Sequence, residues 1–357
     1  MRVHLLSGFL GSGKTTAIQE ACRLLRGRGR RVAVITNDQG IRLVDGGLFQ
    51  SLGIPSREVV NGCFCCHYDD LDNCIDSLVG TDQPEVIFAE SVGSCTDLVA
   101  TVLNPLLRYR RDIDLSVFAD ARLLHMMLGG HGPAFDPSVR YIYFKQLEEA
   151  GIIVISKTDL LAGKELDVLQ GIVGQKFAGK KILWQNSYDE GHIGRWLEMI
   201  EGGAAGEGLK EIDYAIYGEG EARLAWLDEE VRISGVGDAA GRVATVLARS
   251  IYERILTAGY PIGHLKFLLD GKTKISWVAG EGRGMMGVDD LIPADEPCVE
   301  RADLLINARV QTDPELLKEL VGKAIMITAA LYRCSIAVVS ERSFQPGFPV
   351  PTHRIPG

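Results

Sequence analysis

Among the 357 residues, no apolar run reaches the roughly 18 that a membrane-spanning helix needs. The opening MRVHLLSGFLGSGKTT holds too short an apolar stretch for a signal peptide and runs directly into a glycine-rich motif and Lys14. No basic arm or patch stands out in a chain of net charge -9, which argues against nucleic acid as the main partner. There is no internal repeat. These absences lead to an expectation of a cytoplasmic protein with no membrane partner. Its 8 cysteines are then mostly reduced, and close spacings point to metal or redox chemistry rather than to structural bridges.

The length exceeds the usual single-core range and predicts two domains. Apolar residues make up 46% and charged residues 24%, ordinary values for a globular chain, while the 41 glycines gather in turns and at one linker. In the first half, the runs at 3–6, 31–36, 85–90, 115–120, 151–156 and 180–187 are short and nearly all apolar, except that the last is more mixed. Such runs suit parallel strands covered by helices on both faces. A helix is expected from about Lys14 to Arg26 and another over 193–200. The fold class that follows is α/β: a three-layer P-loop domain with a mostly parallel sheet, plus a smaller α+β C-terminal domain.

EGGAAGEG at 201–208 reads as the boundary. The expected division is 1–200 for the first domain, 201–210 for the linker, 211–345 for the second domain and 346–357 for a proline-rich, irregular tail. Within the second domain, EARLAWLDEEVRIS predicts an extended segment and 239–259 a helix. HLKFLLDGKTKISWVAG predicts a hairpin turning at Asp270 and Gly271, and ADLLINARV a strand. A helix follows, capped by Asp313 with Pro314 at its first position, and then a last strand in SIAVVS.

Gly8-Phe9-Leu10-Gly11-Ser12-Gly13-Lys14-Thr15 fits G-x-x-x-x-G-K-T between a predicted strand and a predicted helix. Its glycines let consecutive N–H groups and the helix N-terminus wrap a phosphate. Lys14 is expected to reach the β- and γ-phosphates, the Thr15 hydroxyl to bind Mg²⁺, and Gly8, Gly11, Ser12, Gly13 and Thr16 to complete the cradle. Glu90 ends an apolar run, and with Gly93 it forms E-x-x-G, an acidic partner for the metal followed by a glycine N–H facing the last phosphate. Asp120 is its rival for the acidic role. Lys157 and Asp159, in VISKTD, point to guanine: a carboxylate there accepts from two base N–H groups that adenine lacks. GTP is expected over ATP, with Ser187 in a loop near the base.

Cys63, Cys65 and Cys66 stand in four positions between the phosphate loop and Glu90, where a GTPase carries nucleotide-sensitive segments. Thiolates so spaced can close on a soft or borderline cation such as Zn²⁺. They are one short of a closed tetrahedral set. His67, Asp69, a residue from elsewhere or a second molecule in a homodimer completes it, or the site stays open. Plain packing and disulfide chemistry are the competing readings. Cys22, Cys74, Cys298 and Cys334 read as structural. Cys95 is close enough in sequence to E-x-x-G to approach the nucleotide or the cluster. The methionines of HMMLGGH read as packing, with His125 and His131 as weak ligand candidates, and His264 opens a strand that could face an interdomain site.

GFLGSGKTT, VITNDQG, NGCFCC, ESVG and SKTD, in this order, resemble the CobW-type family of GTPases. These are SIMIBI-class P-loop proteins that include cobalt and zinc metallochaperones. The resemblance is firm over residues 1–200 and weaker through HLKF and RADLLINARV. It implies that Cys63, Cys65 and Cys66 match the family's metal-binding thiolates, with Zn²⁺ or Co²⁺ as cargo. It further implies slow hydrolysis of GTP to GDP and phosphate, and delivery to a client metalloprotein or cobalamin-related enzyme. One departure stands out. Relatives commonly read N-E-x-G-E where this chain has Asn37-Asp38-Gln39-Gly40-Ile41, with Asp45 further on. Two alternatives remain open at this point: a GTP-switched regulatory module with a structural metal, and a P-loop kinase of a small metabolite.

Overall fold

The computed structural model describes residues 1–37, 49–60, 62–110, 112–129, 135–203, 206–209, 211–270, 273–278 (backbone only) and 299–356. The expectations at Asp38, Gln39, Gly40, Ile41, Asp45, His131, Gly271 and Cys298 lie outside the described residues.

Seven strands form one sheet: β1 (Arg2–Ser7), β2 (Val32–Asn37), β3 (Ser56–Val59), β4 (Val86–Glu90), β5 (Ile113–Asp120), β6 (Ile152–Ser156) and β7 (Lys181–Trp184). The order is β3-β2-β4-β1-β5-β6-β7, and every pairing is parallel. The strands buried on both faces are the nearly all-apolar runs, and the edge strands β3 and β7 carry the polar residues. SREV of β3 has no apolar run, so nothing in the sequence pattern announces this strand.

Helices cover both faces: α1 (Lys14–Gly27), α2 (Tyr68–Thr81), α3 (Asn104–Leu107), α4 (Ala121–Met127), α5 (Pro137–Glu149), α6 (Gly163–Lys176) and α7 (Glu190–Glu201). α3 continues from a π-helical turn at Val99–Leu103. Two apolar clusters result, one on each side of the sheet. His4 of β1 lies in the second, ring-stacked between Phe88 and Trp196 at centroid distances of 5.7 and 6.5 Å. Burial pushes its pKa down to about 3.

The sign of the resulting pH effect follows. The unfolded chain binds the His4 proton below about 6.5 while the folded chain refuses it, so stability falls as pH drops from 6.5 towards 3. Each pH unit in that window costs about 1.4 kcal/mol. Glu149, which burial raises to about 8, works in the opposite sense between its unfolded value and 8. Parent and variant are therefore compared at the same pH. The melting temperature of His4→Phe minus that of the parent should rise as pH falls from 6.5 to 4. Parallel profiles would show that His4 is not the group responsible.

The remaining strands form a second, antiparallel sheet: β8 (Ala225–Ser234), β9 (Ile262–Leu269), β10 (Thr273–Val278), β11 (Arg301–Val310) and β12 (Ser335–Phe344), in the order β10-β9-β11-β8-β12 among the described residues. Two helices, α9 (Ala240–Thr257) and α10 (Pro314–Tyr332), pack with it around a separate core. Asp313 caps α10 as its sequence implied, accepting from the Glu315 N–H. His264 is buried within β9, across from Arg309 of β11.

One correction concerns the chain entering this sheet. The segment expected to be extended from Glu221 onward is helical at its start, and β8 begins only at Ala225. The helix is α8 (Tyr214–Ala222), capped by Asp213. Its two interior glycines disfavour a helix on propensity alone, but tertiary packing requires them. A Cβ on Gly220 would come within 2.5 Å of the Ser138 carbonyl on α5, and one on Gly218 within 2.4 Å of the Phe348 ring. Close approach to α5 and to the tail outweighs the propensity cost.

Candidate functional site

All of the nucleotide motifs lie at the carboxyl ends of the parallel strands, where ligands bind in open α/β sheets. After β1 the chain turns through Gly8, Gly11 and Gly13, each at positive φ. A Cβ on Gly8 would fall 2.1 Å from the Phe118 carbonyl, so this position accepts only glycine. α1 begins at Lys14 without a side-chain cap, so its first N–H groups face the loop. Ser12 Oγ is buried and has no hydrogen-bond partner among the described residues. Such an orphaned hydroxyl inside a glycine cradle fits a phosphate. Lys14 Nζ donates to the Gly8 carbonyl at 2.7 Å, folding its ammonium over the loop. Thr16 is half-buried in the first turn of α1.

β4 pairs directly with β1, placing Glu90 beside Leu6. The Thr15 hydroxyl donates to Glu90 Oε1 at 3.0 Å, so both oxygen donors expected at a hard divalent cation meet in one place. Asp120, the rival, is committed elsewhere. Its carboxylate caps α4 by accepting from the Arg122 and Leu123 N–H groups, and it pairs with Lys157 Nζ at 3.0 Å. β5 flanks β1 on its other side, so these side-chain partners, and not the strand order, tell the two acids apart.

Gly93 lies against the phosphate loop: a Cβ there would approach Leu10 N to 2.8 Å. Leu10 also faces β9 of the second sheet, where a Cβ on Gly263 would come within 2.7 Å of its Cδ1. The turn after Glu90 is pinned from α5, where Gln146 Nε2 donates to the carbonyls of Gly93 at 3.0 Å and Cys95 at 2.7 Å. α8 holds it too, through the Ser94 hydroxyl on Glu221 at 2.7 Å and the Thr96 N–H on Tyr217 Oη at 3.3 Å.

At the other end of the loop, Ser156 Oγ donates to the Ser12 carbonyl at 2.6 Å, tying β6 to the phosphate loop. Lys157 follows at φ 56°, with its Cε 3.9 Å from where a Gly13 Cβ would stand. Asp159 is exposed in the short turn Thr158–Leu160. The Thr158 N–H donates to the Gln185 carbonyl, and Gln185 Nε2 to Ser187 Oγ at 3.1 Å, so the KTD and QNS segments adjoin.

The cysteine loop is built on the tip of β2. Asn37 Nδ2 donates to the carbonyls of Val59 and Gly62, and its Oδ1 accepts from the Phe64 N–H at 2.8 Å. Phe64 is fully buried and anchors the turn. The N–H groups of Cys66 and His67 both return to the Cys63 carbonyl, which gathers the side chains of Cys63, Cys65 and Cys66 on the inside. Their sulphurs all lie within 4.8 Å of one another. Four thiolates around one Zn²⁺ at about 2.3 Å would stand about 3.8 Å apart. The Cys65–Cys66 separation is 3.8 Å, while Cys63 and Cys65, at 2.7 Å, must part by about 1 Å to accept an ion. The donor set suits a soft or borderline cation.

Negative charge in the cluster concentrates on Cys63. The thiols of Cys65, Cys66 and Cys95 stabilise its thiolate and hold its pKa well below the ordinary value. The Cys63 thiolate in turn raises Cys65, and pushes Cys66 up to about 11. Glu221 of α8 faces the same charge, and burial keeps its carboxyl far above the carboxylate range. His67 does not join the sulphurs: its Nδ1 pairs with Asp70 at 3.0 Å and its ring covers Gly62. Asp69 is exposed in the first turn of α2. Cys22 is packed within α1 and Cys74 is half-buried on α2; His125 is half-buried on α4.

Sequence reasoning missed the part played by the tail. Residues 345–356 form neither helix nor strand, yet they dock on the cysteine loop. The Thr352 N–H donates to the Cys65 carbonyl at 2.8 Å and its hydroxyl to the Cys66 carbonyl at 2.9 Å. His353 sits edge-on to Tyr68, Arg354 Nε donates to Asp97 at 2.8 Å, and the Ile355 N–H reaches the Ala100 carbonyl. Removing residues 349–357 should speed modification of Cys66 by a thiol reagent at least about 10-fold, the effect of losing about 1.4 kcal/mol of local protection. Cys22, buried inside α1, should keep its rate. An unchanged Cys66 rate would mean that the tail gives no cover.

A family model described as CobW/HypB/UreG, nucleotide-binding domain, matches residues 2–183. A curated relative, Zinc chaperone CobW of Sinorhizobium sp, is 26% identical over 200 residues, covering 49% of this chain and 56% of its own length. Zinc chaperone YjiA of Escherichia coli (strain K12) is 35% identical over 98 residues, 27% of this chain and 30% of that one. The chain thus spans about half the length of the first relative and less of the second. Among solved structures, HypB from Helicobacter pylori in complex with nickel superposes with a TM-score of 0.41 at 14% identity, covering 60% of this chain and 92% of that one.

Proposed function

The chain belongs to the CobW/HypB/UreG family through its nucleotide-binding domain, and from that premise we propose that it is a GTP-hydrolysing metallochaperone whose cargo binds at Cys63, Cys65 and Cys66. The observation that carries this reading is the single segment Glu90–Cys95. It begins at the Thr15 hydroxyl, packs Gly93 on Leu10 of the phosphate loop and ends at Cys95, buried in the same apolar core as Cys63 and Cys65.

In this reading Lys14 binds the β- and γ-phosphates, and the Gly93 N–H senses the last phosphate. Thr15 and Glu90 hold Mg²⁺, which neutralises phosphate charge when bound. The Lys157 stem lies along the base, Asp159 accepts from its N–H edge, and Ser187 contributes a neighbouring backbone loop. No arginine or glutamine stands out in the sequence as an intrinsic catalytic group, and unaided hydrolysis is slow in this reading. The relatives' names support zinc as cargo over cobalt. The recipient is a client metalloprotein. By linkage, metal changes nucleotide affinity by the same factor that nucleotide changes metal affinity.

The test combines two assays on the full chain. GTP should yield GDP and free inorganic phosphate, and the protein should bind one Zn²⁺, with that binding lost in Cys63→Ser/Cys65→Ser. Appearance of the γ-phosphate on an organic acceptor, or Zn²⁺ binding indifferent to these cysteines, would overturn the reading.

A further inference from the structure

The contacts that hold the tail on the cysteine loop are those of a captured peptide. The Thr352 N–H and hydroxyl donate to the carbonyls of Cys65 and Cys66, so the tail crosses the backbone that carries two of the thiols. Three residues on, the Ile355 N–H donates to the Ala100 carbonyl at 2.7 Å, and the Ile355 carbonyl accepts from Asn104 Nδ2 at 2.8 Å. Between these anchors, Arg354 Nε donates to Asp97 Oδ2 at 2.8 Å. Main-chain hydrogen bonds supply affinity in such an arrangement, and a side chain in a specific seat supplies selectivity.

Asp97 is that seat. Its side chain is fully buried, and Tyr214 Oη on α8 also donates to Oδ2 at 2.8 Å. Oδ1 is buried with no hydrogen-bond partner among the described residues. Lifting the tail away would leave this carboxylate facing a neutral phenol, and a buried charge stripped of its counter-ion is strongly destabilising. The carbonyls of Cys65, Cys66 and Ala100 would lose their donors at the same time. Yet the tail lies across the loop of the metal-competent thiols, where an acceptor's ligand has to approach. Whatever displaces it must bring N–H donors and a cation.

We propose that the tail is a resident stand-in for a segment of the metal-receiving partner. That segment is extended and carries a Ser or Thr followed, two residues later, by an arginine or lysine that takes Asp97 as Arg354 leaves. The proposal rests on the metallochaperone reading above and names the chemistry by which the recipient is recognised. The neighbouring surface agrees with a basic partner. His353 lies on Tyr68 at the start of α2, whose first turn exposes Asp69 and Asp70. An acidic segment would meet these carboxylates and Asp97 together.

The experiment uses the full chain loaded with Zn²⁺ and two synthetic acceptor peptides. Both carry the same Cys-x-x-Cys pair behind a flexible linker. One begins with PVPTHRIPG, the sequence of residues 349–357, and the other has glutamate in place of its arginine. The arginine peptide should receive Zn²⁺ at least about 10-fold faster than the glutamate peptide. Arg354→Ala, which loosens the resident tail and spares the groove, should speed transfer to the arginine peptide further. Asp97→Asn should bring the two peptides within about 2-fold of each other. Equal rates on the parent would make the tail a plain cover, and a faster glutamate peptide would point to an acidic partner. Either result overturns the proposal and leaves the metallochaperone reading intact. Failure of the parent to bind Zn²⁺ at all would overturn both. The preference shown by the parent decides the matter even where Asp97→Asn fails to fold.

Discussion

Lys14→Ala will weaken GTP binding by roughly 100- to 1000-fold, the loss of about 3–4 kcal/mol expected when a charge-assisted phosphate contact is deleted from a preformed cradle. The ammonium already lies over the loop, 2.7 Å from the Gly8 carbonyl, so the parent spends little reorganisation to meet a phosphate. The truncation also frees that carbonyl, a small structural cost in an open loop. Titration with a fluorescent GTP analogue, run beside a thermal melt, separates the two effects. A melting midpoint near that of the parent together with lost binding supports the assignment. A loss below about 3-fold would remove Lys14 from the site.

Asp159→Asn will discriminate the base. The carboxylate is exposed and stands where KTD meets QNS, free to accept two N–H bonds from guanine. An amide accepts one of these and opposes the other with its own NH₂. GTP affinity should fall by roughly 100-fold, about 3 kcal/mol. Xanthine carries an oxygen where guanine carries its amino group, so the variant's amide can donate to it, and XTP should bind the variant more tightly than GTP does. Equal loss of both nucleotides, or no loss, would place the base elsewhere. Lys157 is unsuited to this test, because removing it also takes the nearer of two cations from the buried carboxylate of Asp120, leaving Arg122 at 3.5 Å.

What could be read in advance divides by physical cause. The phosphate loop, the parallel strands and the α10 cap were legible because each is a local pattern whose geometry depends on residues a few positions apart. Glu90 and Asp120 look alike at the ends of similar strands. Their strands flank β1 on either side, and only the folded contacts tell them apart: the Thr15 hydroxyl on Glu90, the α4 cap and Lys157 on Asp120. α8 was hidden because its glycines argue against a helix until α5 and Phe348 are placed against them. The cysteine triad was legible from spacing. Its brace at Asn37 and its covering tail were not, since Thr352 and Cys66 are 286 positions apart and an irregular segment has no periodicity to announce where it docks. The departure at Asp38 and Ile41 lies outside the described residues.

Among the described residues, few groups lie between the phosphate loop and the cysteine loop, and each can be changed alone. Gly93 meets the phosphate loop, Gln146 pins the same turn at the Gly93 and Cys95 carbonyls, and Gly263 brings the second sheet against Leu10. A switch of this kind needs a nucleotide-dependent difference in metal affinity, because a ligand that binds two states equally shifts nothing between them.

The most direct test is therefore Zn²⁺ affinity measured on the full chain by chelator competition, once with GDP and once with a non-hydrolysable GTP analogue, in the parent and in Cys65→Ser/Cys66→Ser. The account predicts that the two nucleotides give parent affinities differing by at least about 5-fold, the lower range of an allosteric coupling, and that the cysteine variant loses both the affinity and the difference. Identical affinities in the two nucleotide states, unchanged by replacing the cysteines, would contradict it.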